Sequence, residues 1–336
     1  MKFTLKKDET KTEEKKVEER RAEVLAKGRK FKYPLQWTKY RVVASTVLIA
    51  IIVVALVIVS GWLALYRFGM TDEMLYRVTK IVPAAVANVD GENVMFSDYL
   101  MLYRSSTQSI ERQSGQTDSE GSVEAQRTQY KRAALDEAEE YTYATKLAKE
   151  QGINVTKEEI DNEFTRHLSI GGVERSEEAF LKIVKENFGL DKGEYERMLQ
   201  LSLTKAKVEA VIDTKANETA DKVEDLLLQN GGDFAAVAKQ LGAAVQYQET
   251  GGMVSNQNID GGRASEAYKL EPGQQSGKFI SMNGDGYYFV KLIKKTEAEV
   301  NFVSIKIPFT EFDTQFSALK EENKISEYIE IATDAQ

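Results

Sequence analysis

Twenty-five consecutive residues without a charge, VVASTVLIAIIVVALVIVSGWLALY at 42–66, constrain this chain more than any other feature. At about 1.5 Å per residue, a helix of that length exceeds the roughly 30 Å of a bilayer's hydrocarbon core. A helix that is apolar all round needs an apolar environment on every side. A cleaved leader carries an apolar run of only about 7–15 residues with a small-residue site close behind it. The nearest such site, Ala85-Val86-Ala87, lies well downstream. Residues 42–66 therefore predict a transmembrane helix, with Trp37 and Trp62 near its two ends as interfacial anchors. Lys27, Arg29, Lys30, Lys32, Lys39 and Arg41 crowd the first flank, and Asp72 and Glu73 follow the second. That asymmetry predicts a single-pass protein of the plasma membrane with its N-terminus cytoplasmic and its C-terminal body extracytoplasmic.

Charge separates the two sides. Residues 1–41 hold 14 of the 45 basic and 7 of the 53 acidic side chains, so the tail is +7 and the part beyond the span is −15. A body that acidic repels phosphate backbones, which excludes nucleic acid as a partner. The chain has no cysteine and one histidine. Disulfides, thiolate metal sites and a cysteine nucleophile are excluded, and no metal or cofactor is expected. The tail, KKDETKTEEKKVEERRAEVLAKGRK, spaces Glu and Lys helically but has few apolar residues to bury. It reads as a solvated, partly helical or disordered segment, with anionic lipid or the ribosome as the alternative partners.

Beyond the span, residues 67–83 form a juxtamembrane linker with a short amphipathic stretch ending at Pro83. Val86 and Val89 alternate as in a strand, and Asp90-Gly91 predicts a hairpin turn. Ser97 stands as the N-cap of a helix, residues 113–122 read as a loop, and helical spacing resumes over 123–151. There Ala134, Ala138, Tyr141, Ala144 and Ala148 form a stripe, and Gly152 ends the helix. Thr156 with Glu159, and Asp191 with Glu194, are capping boxes, and Ser176 is a third cap. Ile160, Phe164, His167 and Leu168 share one face, so His167 is expected as a packing residue. From Asn217 the texture changes to a helix, a break at Gly231-Gly232, a second helix and a glycine-rich loop. A short helix and two strands joined by NGDG follow. Residues 299–308 alternate like a strand, and helical spacing starts at Asp313. The Asn-x-Thr matches at Asn154 and Asn217 are expected to be incidental.

The order NGGDFAAVAKQLG, GGMVS, EAYKLEPGQQSGKFI and GDGYYFVKLIKK, at 230–295, resembles the parvulin-type peptidyl-prolyl isomerase domain. Matching positions include Gly232, Asp233, Phe234, Pro272, Gly273, Ser276, Gly286 and Tyr287. Upstream, VANVDGENVMFSDY, LAKEQGINVTKEEIDNEF and GEYERMLQLSLTKAKV resemble the helical chaperone lobe of the SurA, PrsA and PpiD foldases. The resemblance covers about 84–295. It implies an α+β fold with a single N-terminal transmembrane helix, a mostly helical chaperone lobe and a small parvulin-like α/β domain. The corresponding division is a charged tail at 1–41, the span at 42–66, a linker at 67–83, the chaperone lobe at 84–213, the parvulin-like domain at 214–298, and a C-terminal strand and helix at 299–336.

The resemblance also implies a function, an extracytoplasmic foldase that cradles unfolded or newly translocated polypeptides, with the export machinery as a further partner. Active members carry histidines on two neighbouring strands. Here Tyr288 stands where the closing Gly-Tyr-His strand has its histidine, and VEAVIDTK, in place of the first strand, has none. A parvulin-like domain that is weak or inactive as an isomerase is the leading expectation, with no catalytic residue assigned and Tyr268, Met253, Phe279 and Tyr288 as peptide contacts. An active isomerase that tolerates Tyr288 is the second, and a pseudoenzyme scaffold for one dedicated envelope or export partner is the third. Residues 299–336 either return to the helical lobe or supply the missing strand through NFVSIKI.

Overall fold

In the computed structural model, residues 5–32, 34–113, 120–169 and 173–331 are described; side chains are described for 13–27, 40–108, 125–169 and 173–331. The Trp37 side chain and residues 114–119 fall outside these; of the expected loop at 113–122, residues 113 and 120–122 are helical instead. The chain divides into two units, 1–64 and 65–336.

The first unit contains helices α1 (Leu5–Lys32) and α2 (Pro34–Trp62), the latter running into a π-helical turn at Leu63–Arg67. From Tyr40 to Ser60 every side chain is exposed, and Trp62 is exposed as well. The stretch Tyr40–Arg67 is long and apolar enough to cross a membrane. Its few polar side chains are satisfied internally: Ser45 and Thr46 donate to the Val42 carbonyl at 2.9 Å, and Ser60 to that of Val57 at 3.0 Å. Hydroxyls bonded in this way cost little in an environment without water.

The second unit is mostly helical with two small antiparallel sheets. After α3 (Glu73–Ile81), strands β1 (Ala85–Val89) and β2 (Glu92–Met95) form the expected hairpin about Asp90-Gly91. Helix α4 (Phe96–Gln113) starts directly off β2, so Ser97 lies inside its first turn rather than at the cap. The Phe96 amide donates to Ala84 at 2.9 Å, which fixes that start. Helices α5 (Glu120–Gln151), α6 (Lys157–Leu168), α7 (Glu177–Phe188) and α8 (Lys192–Ile212) follow. Both capping boxes and the Ser176 cap form as their spacing requires. On α5, Ala134, Ala138, Ala144 and Ala148 are buried and Tyr141 half-buried, letting α4 and α8 approach closely.

VEAVIDTK is not a strand. Through Ile212 it is the end of α8, with Val208 and Ala210 buried. The second sheet is built from β3 (Gln246–Glu249), β4 (Val254–Ser255), β5 (Phe279–Ile280), β6 (Gly286–Lys295) and β7 (Glu299–Pro308). Its order is β3-β7-β6-β5, with β4 paired to the far end of β7. The strand NFVSIKI thus occupies the centre of the sheet.

Alternation on β6 and β7 explains how both faces are covered. Tyr287, Phe289, Ile305 and Ile307 face α9 (Thr214–Gln229) and α10 (Phe234–Leu241), meeting Ala220, Val223, Leu227 and Phe234. Val290, Leu292 and Phe302 face the other way onto Ala264 and Ala267 of α11 (Arg263–Tyr268). The two adjacent tyrosines are both buried, Tyr287 at 7% exposure and Tyr288 at 5%. Tyr287 donates to the Asn217 side chain at 2.7 Å, while the Asn217 amide donates to Ala210 and Asp213 carbonyls. That asparagine is committed to the interior.

The chain end does both things left open by the sequence. After β7, helix α12 (Glu311–Glu321) puts Phe312, Phe316 and Leu319 into the core of α4, α5 and α8, with Phe312 and Phe316 5.4 and 5.9 Å from the Tyr143 ring. The helical pattern then stops, because Asn323 adopts a left-handed φ of 55°. Residues 325–327 form β8 (Ile325–Glu327), the third strand beside β1.

Glu139 on α5 lies in this region with 0% exposure and no hydrogen bond to either carboxyl oxygen. Burial, and then the nearby Glu327, push its pKa from 4.5 to about 7, against the pull of Arg132. The folded protein thus favours the neutral acid. The stability this group allows is fully present below pH 4.5 and falls as pH rises to 7, by roughly 3 kcal/mol. Thermal melts from pH 5 to 8 are expected to show that decline, and Glu139→Gln to flatten it and to melt above the parent at pH 8.

Candidate functional site

On the α11 face of the second sheet, one row of side chains runs across three strands. Phe279, Tyr288 and Lys306 are consecutive cross-strand partners, and the Phe279 and Tyr288 rings stack at 6.1 Å. The turn before β6 adds Asp285, whose carboxylate accepts hydrogen bonds from Lys306, from the Ser281 hydroxyl and, at 3.3 Å, from Tyr288. The first residue of α11, Arg263, holds its guanidinium 5.4 Å from the Tyr288 ring, and Lys306 lies 5.7 Å from the same ring. Arg263 is itself held at Gln248, 2.5 Å away.

The electrostatics of this row are settled. Burial raises the Tyr288 pKa, with the Asp285 charge adding to it. For Asp285 burial acts upward, but the hydrogen bonds from Lys306 and Ser281 hold it below the usual carboxylate range. For Lys306 burial acts downward and is outweighed by Asp285, leaving it above the ordinary lysine value. Near neutral pH the row is a phenol, a carboxylate and an ammonium, each committed to the others. The three are bonded to one another and form a fixed polar patch beside the Phe279 ring.

Of the four expected contacts, the structure brings Phe279 and Tyr288 together. Tyr268 stands at the opposite end of α11, 39% exposed, with the Lys295 ammonium 5.8 Å from its ring. Lys295 is seven residues from Tyr288 along β6, about 23 Å of extended chain. Met253 lies half-buried in the loop between β3 and β4. Lys306, Asp285 and Ser281 were missed from sequence: the β6–β7 register across the turn at 296–298 places Lys306 beside Tyr288, and Asp285 and Ser281 gather there from the β5–β6 turn.

Two concave surfaces flank this sheet. A cleft of about 200 Å³ lies between the end of α6, with Arg166, His167 and Ser169, and the loop 256–262 with Met282 and Asn283. Ile259 and Met282 are exposed at its walls. His167 is fastened through both ring nitrogens, Nδ1 to the Tyr195 hydroxyl at 2.6 Å and Nε2 to Glu163 at 3.0 Å. It holds α6 to α8, as expected for a packing residue. Below the cleft the β5–β6 turn rests on α8: a Cβ placed on Gly284 would sit 2.7 Å from that of Ala206. On the opposite face a wider groove of about 680 Å³ is lined by Phe234, Tyr247, Ile293 and Val303 among others. Its walls mix these apolar side chains with Asp233, Glu249, Lys291 and Asn301. Among the described residues no cluster of acidic or histidine side chains could hold a metal ion.

A family model described as the SurA-like N-terminal domain matches residues 36–209, just over half of the chain. The matched segment runs from the apolar helix through the hairpin and α4–α7 into the last turn of α8. No curated protein matches the chain.

Proposed function

The chain belongs to the family of the SurA-like N-terminal domain, and from that premise we propose that it is a membrane-anchored chaperone for unfolded exported polypeptides. The observation that carries this reading is a family match that takes in both the helical lobe and a helix able to span a bilayer. Residues 42–66 anchor the protein, the basic tail stays cytoplasmic, and the acidic body works outside. Within the body, 84–213 is the chaperone lobe and 214–298 a parvulin-like domain. The cleft and the groove are the surfaces that hold extended segments of client.

In this reading the parvulin-like domain grips peptide without hastening rotation about X-Pro bonds. What supports this is the Tyr288–Asp285–Lys306 row, in which Tyr288 stands where the closing strand of active relatives is expected to have its histidine. A protease-coupled assay with proline peptides is expected to show the uncatalysed rate, with relaxation over roughly tens to hundreds of seconds. Clear acceleration would instead establish a working isomerase built on Tyr288. Binding of the full chain, in lipid nanodiscs, to an array of peptides tests the client range. The expected outcome is binding to many apolar-rich segments with no dependence on proline, and binding to a single sequence would contradict a general chaperone.

A further inference from the structure

Helix α3 carries three distinct faces. Tyr76 and Thr79 are buried, and Leu75 is half-buried. This inner face is clamped: the Arg104 guanidinium lies 4.4 Å over the Tyr76 ring and bonds Glu194 at 2.5 Å, and Lys80 reaches the same carboxylate at 3.5 Å. A polar edge follows, with Glu73 and Arg77 paired at 2.6 Å. The third face is apolar and bare. Met74, Val78 and Ile81, spaced four and three apart, fall on one side of the helix and are 77%, 45% and 83% exposed. Phe68, Met70 and Val82 extend the patch before and after the helix. Together they expose several hundred Å² of apolar surface, on the order of the largest patch an ordinary soluble domain shows.

Chain continuity identifies what covers it. The apolar helix ends at Arg67 and α3 begins at Glu73, so five linking residues hold the start of α3 within about 20 Å of the end of the span. The patch is a stripe on one helix rather than a groove. The cavity beside α3 is walled by Asp72, Glu73, Arg104, Gln108 and other polar residues, and Met74, Val78 and Ile81 do not line it. Arg77 borders the stripe and Arg67 ends the helix before it, and long cationic side chains so placed can reach lipid headgroups while their stems lie on apolar surface. These are the attributes of a helix lying in the plane of a bilayer surface.

We propose that α3 lies on the membrane, with Met74, Val78 and Ile81 entering the boundary between headgroups and acyl chains. The proposal rests on the reading of 42–66 as a membrane anchor. It means that α3 adds a second membrane contact next to the span.

Because the chain has no cysteine, single thiols can be introduced and labelled with a fluorophore in the full-length protein, reconstituted in phosphatidylcholine–phosphatidylglycerol vesicles carrying nitroxide-labelled lipid. The positions are Val54→Cys in the span, Met74→Cys and Ile81→Cys on α3, and Ile293→Cys, an exposed apolar site on the second sheet. Lipid quenching is expected to be several-fold stronger at 54, 74 and 81 than at 293. Strong quenching at 54 with 74 and 81 no different from 293 would overturn the proposal and leave the anchor standing. No quenching at 54 would overturn the anchor itself, and this inference with it. Labels at 74 and 81 that stay open to a water-soluble quencher until an unfolded polypeptide is added would make the stripe a client surface, which also overturns the proposal.

Discussion

Asp213→Ala is expected to lower the stability of the body by about 4 kcal/mol, more than most single substitutions manage. Asp213 is 2% exposed and stands where three helices meet. It ends α8, and one carboxylate oxygen caps α9 by accepting the Ala216 amide at 2.9 Å. The other oxygen accepts the amides of Thr310 and Glu311 at 2.7 and 3.1 Å, which makes it the cap of α12 as well. Thr310 provides no cap of its own. Removing the carboxylate leaves three amides without partners in a buried place. Each lost cap costs about 1 kcal/mol and each orphaned buried donor about 1–3 kcal/mol, with some overlap between the two. Asp213→Asn makes the test specific. Its amide oxygen can keep the α9 cap, but its NH₂ group faces the two α12 amides as a donor facing donors, so roughly half the loss should remain. Denaturant unfolding of the three proteins in the same detergent would check the order parent, Asn, Ala.

Gly286→Ala is expected to do comparable harm by a different route. Gly286 opens β6 with φ at 154°, and a Cβ there would lie 2.3 Å from the Ile307 carbonyl oxygen and 3.1 Å from Pro308 Cα. Those atoms are backbone of β7, the central strand, so they cannot move aside as a flexible side chain would. Overpacking costs about 1–3 kcal/mol and a side chain in a glycine-only conformation about as much again, giving roughly 4 kcal/mol. The first rungs of the β6–β7 ladder should open, and with them the row of Tyr288 and Lys306. Hydrogen exchange at residues 286–290 and 304–307 is expected to speed up while α4 and α5 keep their protection. Unchanged exchange in β6 would show that the close approach at Gly286 is not needed.

What could be read from sequence was local. The capping boxes at Thr156 and Asp191 are completed within three residues, the alanine stripe of α5 within one helix, and the Asp90-Gly91 turn within two residues. The span needed composition alone. What could not be read was largely a matter of register or of which distant partner a segment meets. The alternation of 299–308 marked a strand but not its place between β3 and β6, and so hid Lys306 beside Tyr288. KISEYIEI kept a helical spacing, yet a left-handed Asn323 and an open edge on β1 turned part of it into β8. Asp213 lay within VEAVIDTK and was not read as a cap, either for α9, three residues away, or for α12, almost a hundred residues further on. VEAVIDTK has strand-like composition, but the core behind α8 rewards Val208 and Ala210 at helical spacing, and packing outweighs propensity.

The fate of the paired tyrosines follows from the same distinction. Tyr287 and Tyr288 lie on opposite faces of the sheet, as the two-residue period of a strand requires. Only the arrival of β7 decided that Tyr288 would be locked with Asp285 and Lys306 into one row.

The most direct test of a membrane-anchored chaperone uses the full chain in lipid nanodiscs, mixed with a chemically denatured client diluted into buffer, with light scattering followed over time. Empty nanodiscs serve as the reference. The account predicts that scattering is delayed in proportion to the protein added, and that client is recovered on the nanodiscs. Aggregation at the rate seen with empty nanodiscs, with no client retained, would contradict it.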